Sequence, residues 1–146
     1  MNQSADANFR RATTADIPAM HRVRMSVREN ILSNPNSIGH HDYQQMLEQR
    51  GQGWVCEIDG AIVGFAVVDV SEQNVWALFV QPEYEGRGIG RTLHDAMLEW
   101  YFGTGATFIW LSTDPGTRAE QFYQRAGWGF AGMLPDGEAR YERTKN

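Results

Sequence analysis

Three consecutive stretches in the middle of the chain, residues 54–58, 61–70 and 75–80, are dense in β-branched and aromatic side chains, and Asp59-Gly60 between the first two is suited to a tight hairpin turn. They predict three antiparallel strands. From Ile89 the rhythm changes: Ile89, Leu93, Ala96, Met97, Trp100 and Tyr101 recur at three- and four-residue spacing, which sets them on one buried face of a helix ending near Gly103. Upstream, residues 9–12 fit a short strand. Thr13-Thr14-Ala15-Asp16 then offers capping oxygens and Pro18 suits a first helical turn, so a helix is predicted over 16–30. Residues 32–39 carry Asn, Ser, Pro and Gly and read as a loop before a second helix over 41–50. After the long helix come a strand over 107–111, a helix over 118–125 stopped by Gly127, and closing strands over 128–133 and 139–143 around Asp136-Gly137. The order is βααβββαβαββ, a mixed α/β (α+β) chain without internal repeat or linker.

With 146 residues, the chain fits one compact domain over 1–146, and 42% apolar with 21% charged residues is ordinary globular usage. A net charge of -5 with 13 Lys plus Arg argues against a nucleic-acid partner, while leaving room for a local basic patch that holds one phosphorylated ligand. Cys56 is the only cysteine, which excludes an intrachain disulfide and a thiolate metal cluster. Residues 1–6 form no apolar signal segment, and no run approaches the roughly 20 apolar residues of a bilayer span. The expectation is a soluble, cytoplasmic protein with no membrane partner. A homodimer is compatible with the sequence but not indicated by it.

The most informative segment runs from Val80 through Glu85-Gly86-Arg87-Gly88-Ile89-Gly90-Arg91-Thr92, where a strand turns through glycines into a helix. The first turn of a helix has four N–H groups without intrahelical partners, and the aligned peptide dipoles add positive potential there. Such a site suits an anion. Gly86, Gly88 and Gly90 remove side chains that would hold a diphosphate away from those N–H groups, and Arg87 and Arg91 supply lasting positive charge. A plain connecting turn is the alternative reading. A G-x-G-x-x-G fingerprint begun at Gly86 would need glycine where Arg91 stands, and a G-x-x-x-x-G-K-[ST] loop would need glycine at Glu85 and lysine at Arg91.

With this loop, the strand before it, and Ala119, Phe122-Tyr123 and Ala126-Gly127-Trp128 beyond it, the chain resembles the GNAT superfamily of N-acetyltransferases over roughly residues 54–133. The resemblance implies a mostly antiparallel mixed sheet of about seven strands flanked by about four helices. It also implies acetyl-CoA as co-substrate, no metal, and direct acetyl transfer to a primary amine on a small molecule or a protein. In the family's phosphate motif, Q/R-x-x-G-x-G/A, the glycines fall on Gly88 and Gly90 and the first position on Glu85, an acidic departure that Arg87 or Arg91 could offset. Pantetheine contacts are implied along Leu78, Phe79 and Val80, and near Ala119 and Phe122. An asparagine is expected three residues before Ala119, where this chain has Gly116.

Acetyl transfer requires a neutral amine, stabilisation of charge on the carbonyl oxygen, and a proton for the departing thiolate. The resemblance makes Tyr123 the candidate proton donor, the other reading being a core tyrosine. Many relatives carry a glutamate base on the strand before the loop, where this chain has Trp76. Asp69, Asp114 and Glu29 could act through water, although each is also an ordinary surface or capping carboxylate. Arg24, Arg28, Glu29 and Asn30 lie where the resemblance implies an acceptor pocket, and a solvated helix face is the plainer reading. His40-His41 reads as a helix entrance and Cys56 as a small buried hydrophobe. A domain that captures acyl-CoA without catalysis, or an interaction module using some of the five tryptophans, are the competing functions.

Overall fold

Asp59 and Gly60 both take left-handed backbone angles, φ 53° and 79°, and join β2 (Gly51–Ile58) to β3 (Ala61–Asp69) in a tight hairpin. The computed structural model describes residues 6–34 and 36–145. The expected absence of a signal segment over 1–6 therefore falls almost wholly outside the described residues, as does position 35 of the expected loop. β1 (Asn8–Arg11) lies antiparallel to β2, and β4 (Asn74–Val80) antiparallel to β3. β5 (Phe108–Thr113) runs parallel to β4, and β6 (Gly129–Met133) and β7 (Ala139–Thr144) close the sheet in the order β1-β2-β3-β4-β5-β7-β6. All other neighbours are antiparallel, so the mixed, mostly antiparallel sheet is the expected one.

Helices cover both faces. On one side Ile17, Met20 and Val23 of α1 (Ile17–Ser26) and Tyr43 of α2 (His40–Gln45) pack on Val55, Phe65, Val67 and Ala77. On the other, Leu93 and Met97 of α3 (Ile89–Gly103) and Tyr123 of α4 (Arg118–Arg125) join Cys56, Ala66, Val68 and Val75. The strand period of two sends alternate residues to these two cores, and two bulges interrupt it. Between the pairs Cys56–Gly64 and Glu57–Ile62, Val63 is the extra residue; between Val67–Ala77 and Val68–Val75 it is Trp76. Consequently Trp76 and Ala77 both face the α1 side.

Several boundaries differ from expectation for local reasons. β2 begins at Gly51, not at 54, because Gly51 lies flat against β3: a Cβ there would sit 1.7 Å from the Val68 carbonyl oxygen. The predicted helix over 16–30 is a 3-10 turn at Thr14–Asp16 followed by α1, which stops at Ser26. Asn30 is drawn instead into a left-handed conformation, φ 55°, by its contacts with β5. The second helix tightens no further than Gln45 and widens into a π turn over Met46–Arg50. No described helix is long and apolar enough to cross a membrane.

Candidate active site

β4 and β5 meet only at Asn74–Trp110, backed by the Trp110 N–H donating 3.0 Å to the Gln73 carbonyl. Beyond that pair no β4–β5 partners follow: β4 carries the Trp76 bulge in its pairing with β3, and β5 stays registered on β7. Leu78, Phe79 and Val80 thus present a strand edge without a β5 partner. The opening is a cleft of about 670 Å³, walled by those three residues, by the glycine loop, and by Ala119, Phe122 and Tyr123 of α4.

The loop closes one end of the cleft through its backbone. Gly88 caps α3 from the left-handed region, φ 82°, and the first bond inside the helix runs from the Thr92 N–H to the Gly88 carbonyl at 3.0 Å. The N–H groups of Ile89, Gly90 and Arg91 therefore precede the helical ladder, at the positive end of its dipole. Cβ atoms at Gly86 or Gly88 would meet nothing within 4 Å, so the space over these peptides is open. A diphosphate fits this donor set: several N–H groups ahead of the helical ladder and an open cradle over them.

Of the residues singled out from sequence, Leu78, Phe79, Val80, Glu85, Gly86, Gly88, Ile89, Gly90, Arg91, Ala119, Phe122 and Tyr123 line this cleft. Arg87, Thr92 and Gly116 do not. Arg87 lays its guanidinium over the Tyr84 ring, 4.9 Å from the centroid. Thr92 returns its hydroxyl to the Gly88 carbonyl at 3.0 Å, and the Gly116 N–H donates to Glu120 at 2.8 Å. Arg91, although it lines the cleft, engages its guanidinium with Asp95, with Nε 3.1 Å from that carboxylate. The Glu85 carboxylate is met by a residue the sequence reading overlooked: Arg118 Nη1, at the start of α4, lies 3.1 Å from Glu85 Oε1. A basic residue opening the helix that faces the loop was the available signal. Val27, Pro82, Tyr84 and Arg125 complete the missed lining.

Tyr123 stands in an aromatic layer between Phe122, at 5.3 Å between ring centroids, and Trp128, at 5.6 Å. It is 7% exposed, and burial pushes its phenol far above the ordinary tyrosine value. Behind it, buried His94 accepts 3.0 Å from the Trp128 indole N–H at Nε2 and contacts Asp95 at 2.8 Å through Nδ1. Because an indole nitrogen only donates, the neutral ring must carry its proton on Nδ1. Burial holds the His94 pKa below 6.5, against the opposing pull of Asp95.

The far wall is the segment after α1. Glu29 Oε1 accepts 3.0 Å from the Arg118 N–H, and Asn30 Oδ1 accepts 2.8 Å from the Asp114 N–H and 3.3 Å from the Thr113 hydroxyl. These bonds pin residues 27–30 across the ends of β5 and α4, and Val27, Arg28, Glu29 and Asn30 line the cleft. Asp69 is removed from consideration as a base: it pairs with Asn74 at the opposite end of β4 and is bound by Arg50 and Ser71, each at 2.7 Å. Trp76 packs edge-on to Tyr43, 5.2 Å between centroids, and carries no acid–base group. Cys56 is buried and its thiol is pushed up to about 11. No group of three or more His, Cys, Asp or Glu gathers among the described residues.

The arrangement has many counterparts. The ribosomal-protein-S18-alanine N-acetyltransferase of Escherichia coli superposes with a TM-score of 0.78 at 17% identity, covering 95% of this chain and 94% of that one. The PaiA N-acetyltransferase of Thermoplasma acidophilum, solved in complex with coenzyme A, superposes at 0.81 and 14% identity, covering 95% and 99%. At such identities the likeness is one of fold. In sequence, the streptothricin acetyltransferase of Streptomyces lavendulae is 34% identical over 80 residues, 51% of this chain and 42% of that protein. The chain thus spans about two fifths of that relative's length. Residues 19–128 match the model of the acetyltransferase (GNAT) family. With three quarters of its length inside that match, and with the parted strands and glycine cradle in place, the chain belongs to the GNAT acetyltransferase family.

Proposed function

We propose that the chain transfers an acetyl group from acetyl-CoA directly to a primary amine. The observation that carries this reading is the meeting of two features in one cleft: the open edge of β4 and the unpaired N–H groups opening α3. The peptide groups of residues 88–91 would hold the diphosphate, with Arg118 neutralising Glu85 beside it. Leu78 to Val80 would receive the pantetheine amides as an added strand is received, and Ala119 and Phe122 would flank that arm. What acetyl-CoA supplies is an acetyl carbon activated as a thioester.

In this reading the amine nitrogen bonds to that carbon, the carbon–sulfur bond breaks, and the nitrogen loses the proton that the sulfur gains. Tyr123 donates to the sulfur from a phenol that stays protonated near neutrality. Its rise makes a lasting phenolate unfavourable, so the phenol regains a proton as the new amide loses one. Trp76 offers no base, Asp69 and Asp114 do not line the cleft, and Glu29, which does, already accepts the Arg118 N–H at one oxygen, so the amine arrives neutral or loses its proton through water. A binding domain without turnover is the second reading, favoured only by Trp76. Release of free coenzyme A on addition of pooled amines, with the acetylated product identified by mass, separates the two.

A further inference from the structure

Arg91 stands in the first turn of α3, and that turn holds no acidic residue. A cation there faces the positive end of the peptide dipole, where an anion is preferred. Its partner Asp95 lies four residues on, which sets the cation N-terminal to the anion, the weaker orientation for a pair on one helix face. The two side chains are 54% and 57% exposed, so water and salt screen the pair and it holds the guanidinium loosely. Neither residue joins Leu93 and Met97 in the core. An exposed turn that breaks local preference without a packing gain points to function.

Both residues are tied to the cleft. Arg91 lines it, and the Arg91 N–H is among those that precede the helical ladder. Asp95 Oδ1, 3.1 Å from Arg91 Nε, is also 2.8 Å from Nδ1 of the buried His94. His94 meets Phe122, a wall of the cleft, edge-on at 5.4 Å between ring centroids.

We propose that Asp95 competes with the diphosphate of coenzyme A for the Arg91 guanidinium, and so sets how tightly acetyl-CoA is held. The proposal rests on the acetyl-transfer reading of the cleft and adds a positioning residue that acts through Arg91. A diphosphate on the N–H groups of residues 88–91 lies beside the Arg91 backbone. Helical side chains lean toward the N-terminus of their helix, so Arg91 reaches it by rotating its own side chain. The diphosphate offers more charge and paired oxygens against one exposed carboxylate, and it answers the dipole that Arg91 opposes. Asp95 is not left alone, because the His94 Nδ1–H still donates to Oδ1.

The test titrates coenzyme A calorimetrically into the full chain. Asp95→Asn keeps an oxygen for the His94 Nδ1–H and removes the charge that holds Arg91. Its Kd should fall about two- to fourfold, the size of one exposed pair. Arg91→Gln should raise the Kd about tenfold, as expected for the loss of a charged hydrogen bond. In the Arg91→Gln background, Asp95→Asn should change the Kd by less than about 1.5-fold, since the two residues act as one unit. An unchanged Kd in either single variant, or the same tightening with and without Arg91, overturns the proposal. The parent protein gives a second readout that needs no variant: the Arg91 Nε–H and His94 Nδ1–H resonances should both move as coenzyme A saturates. A merely structural Asp95 would leave both in place, and either one staying in place overturns the proposal. Binding that ignores Asp95 and Arg91 overturns this proposal alone, whereas a parent chain that binds no coenzyme A overturns the reading of the cleft with it.

Discussion

Arg118 and Glu85 form an ion pair at 3.1 Å that ties the start of α4 to the glycine loop, across the end of the cleft where the diphosphate is proposed to lie. Both side chains are substantially exposed, so the pair contributes little to folding. Its consequence is electrostatic: without Arg118 a free carboxylate would face the incoming phosphates. Arg118→Ala should weaken acetyl-CoA binding about three- to tenfold at low salt and less as salt rises. Adding Glu85→Gln to that variant should recover most of the loss with Tm unchanged. Calorimetric titration at two ionic strengths measures this; an unaltered Kd in Arg118→Ala would contradict it.

Gly88 holds φ 82° at the N-terminus of α3, where any other residue is strained, and a methyl group there would project into open space over the cradle. Gly88→Ala should lower stability by about 1–2 kcal/mol. It should also raise the Kd for acetyl-CoA by roughly tenfold, equivalent to about 1.4 kcal/mol. Urea unfolding and cofactor titration on the same protein separate the two effects.

Tyr123→Phe keeps the ring in its layer with Phe122 and Trp128 and removes the hydroxyl alone. If the phenol protonates the departing thiolate, kcat should fall about a hundredfold or more. Affinity for acetyl-CoA should stay within about twofold, because in this reading the hydroxyl acts only as the C–S bond breaks. Steady-state kinetics and a binding titration decide it, and equal turnover in variant and parent would exclude Tyr123 from the reaction.

His94 is held neutral between the Trp128 indole N–H and Asp95, and protonation would set two donors face to face. Its pKa in the folded protein lies below the 6.5 of an unfolded chain, so the unfolded state takes up the proton first. The stability due to the neutral ring is complete above 6.5 and is lost as pH falls from there toward the folded pKa. Thermal melts should drop by several degrees between about pH 7.5 and about pH 5, and His94→Gln should flatten that part of the profile. A parent protein with no such drop would contradict the buried neutral ring.

Strands and the long helix were legible because their signals are local. Asp59-Gly60 fixes its hairpin, and the spacing from Ile89 to Tyr101 fixes the buried face of α3. The cradle was legible for the same reason, since glycines between a strand and a helix leave N–H groups open wherever they occur. Features made by distant partners were not. Gly51 reads as a loop residue until β3 is laid against it, and α1 reads as longer until Asn30 is claimed by Thr113 and Asp114. Arg118 was hidden for a like reason: its role depends on Glu85, far away in sequence but facing it across the cleft. Arg87 lies outside the lining because nearness in sequence to the cradle says nothing of the Tyr84 ring over which it stacks.

Peptide nitrogens at the start of α3 are proposed to receive the diphosphate of acetyl-CoA. Amide nitrogen–proton spectra of the labelled protein, recorded as coenzyme A is added, test it residue by residue. The expected result is saturable downfield movement of the Gly88, Ile89, Gly90 and Arg91 resonances with a single Kd. Saturation of binding while those four signals stay in place would exclude the start of α3 as the diphosphate site.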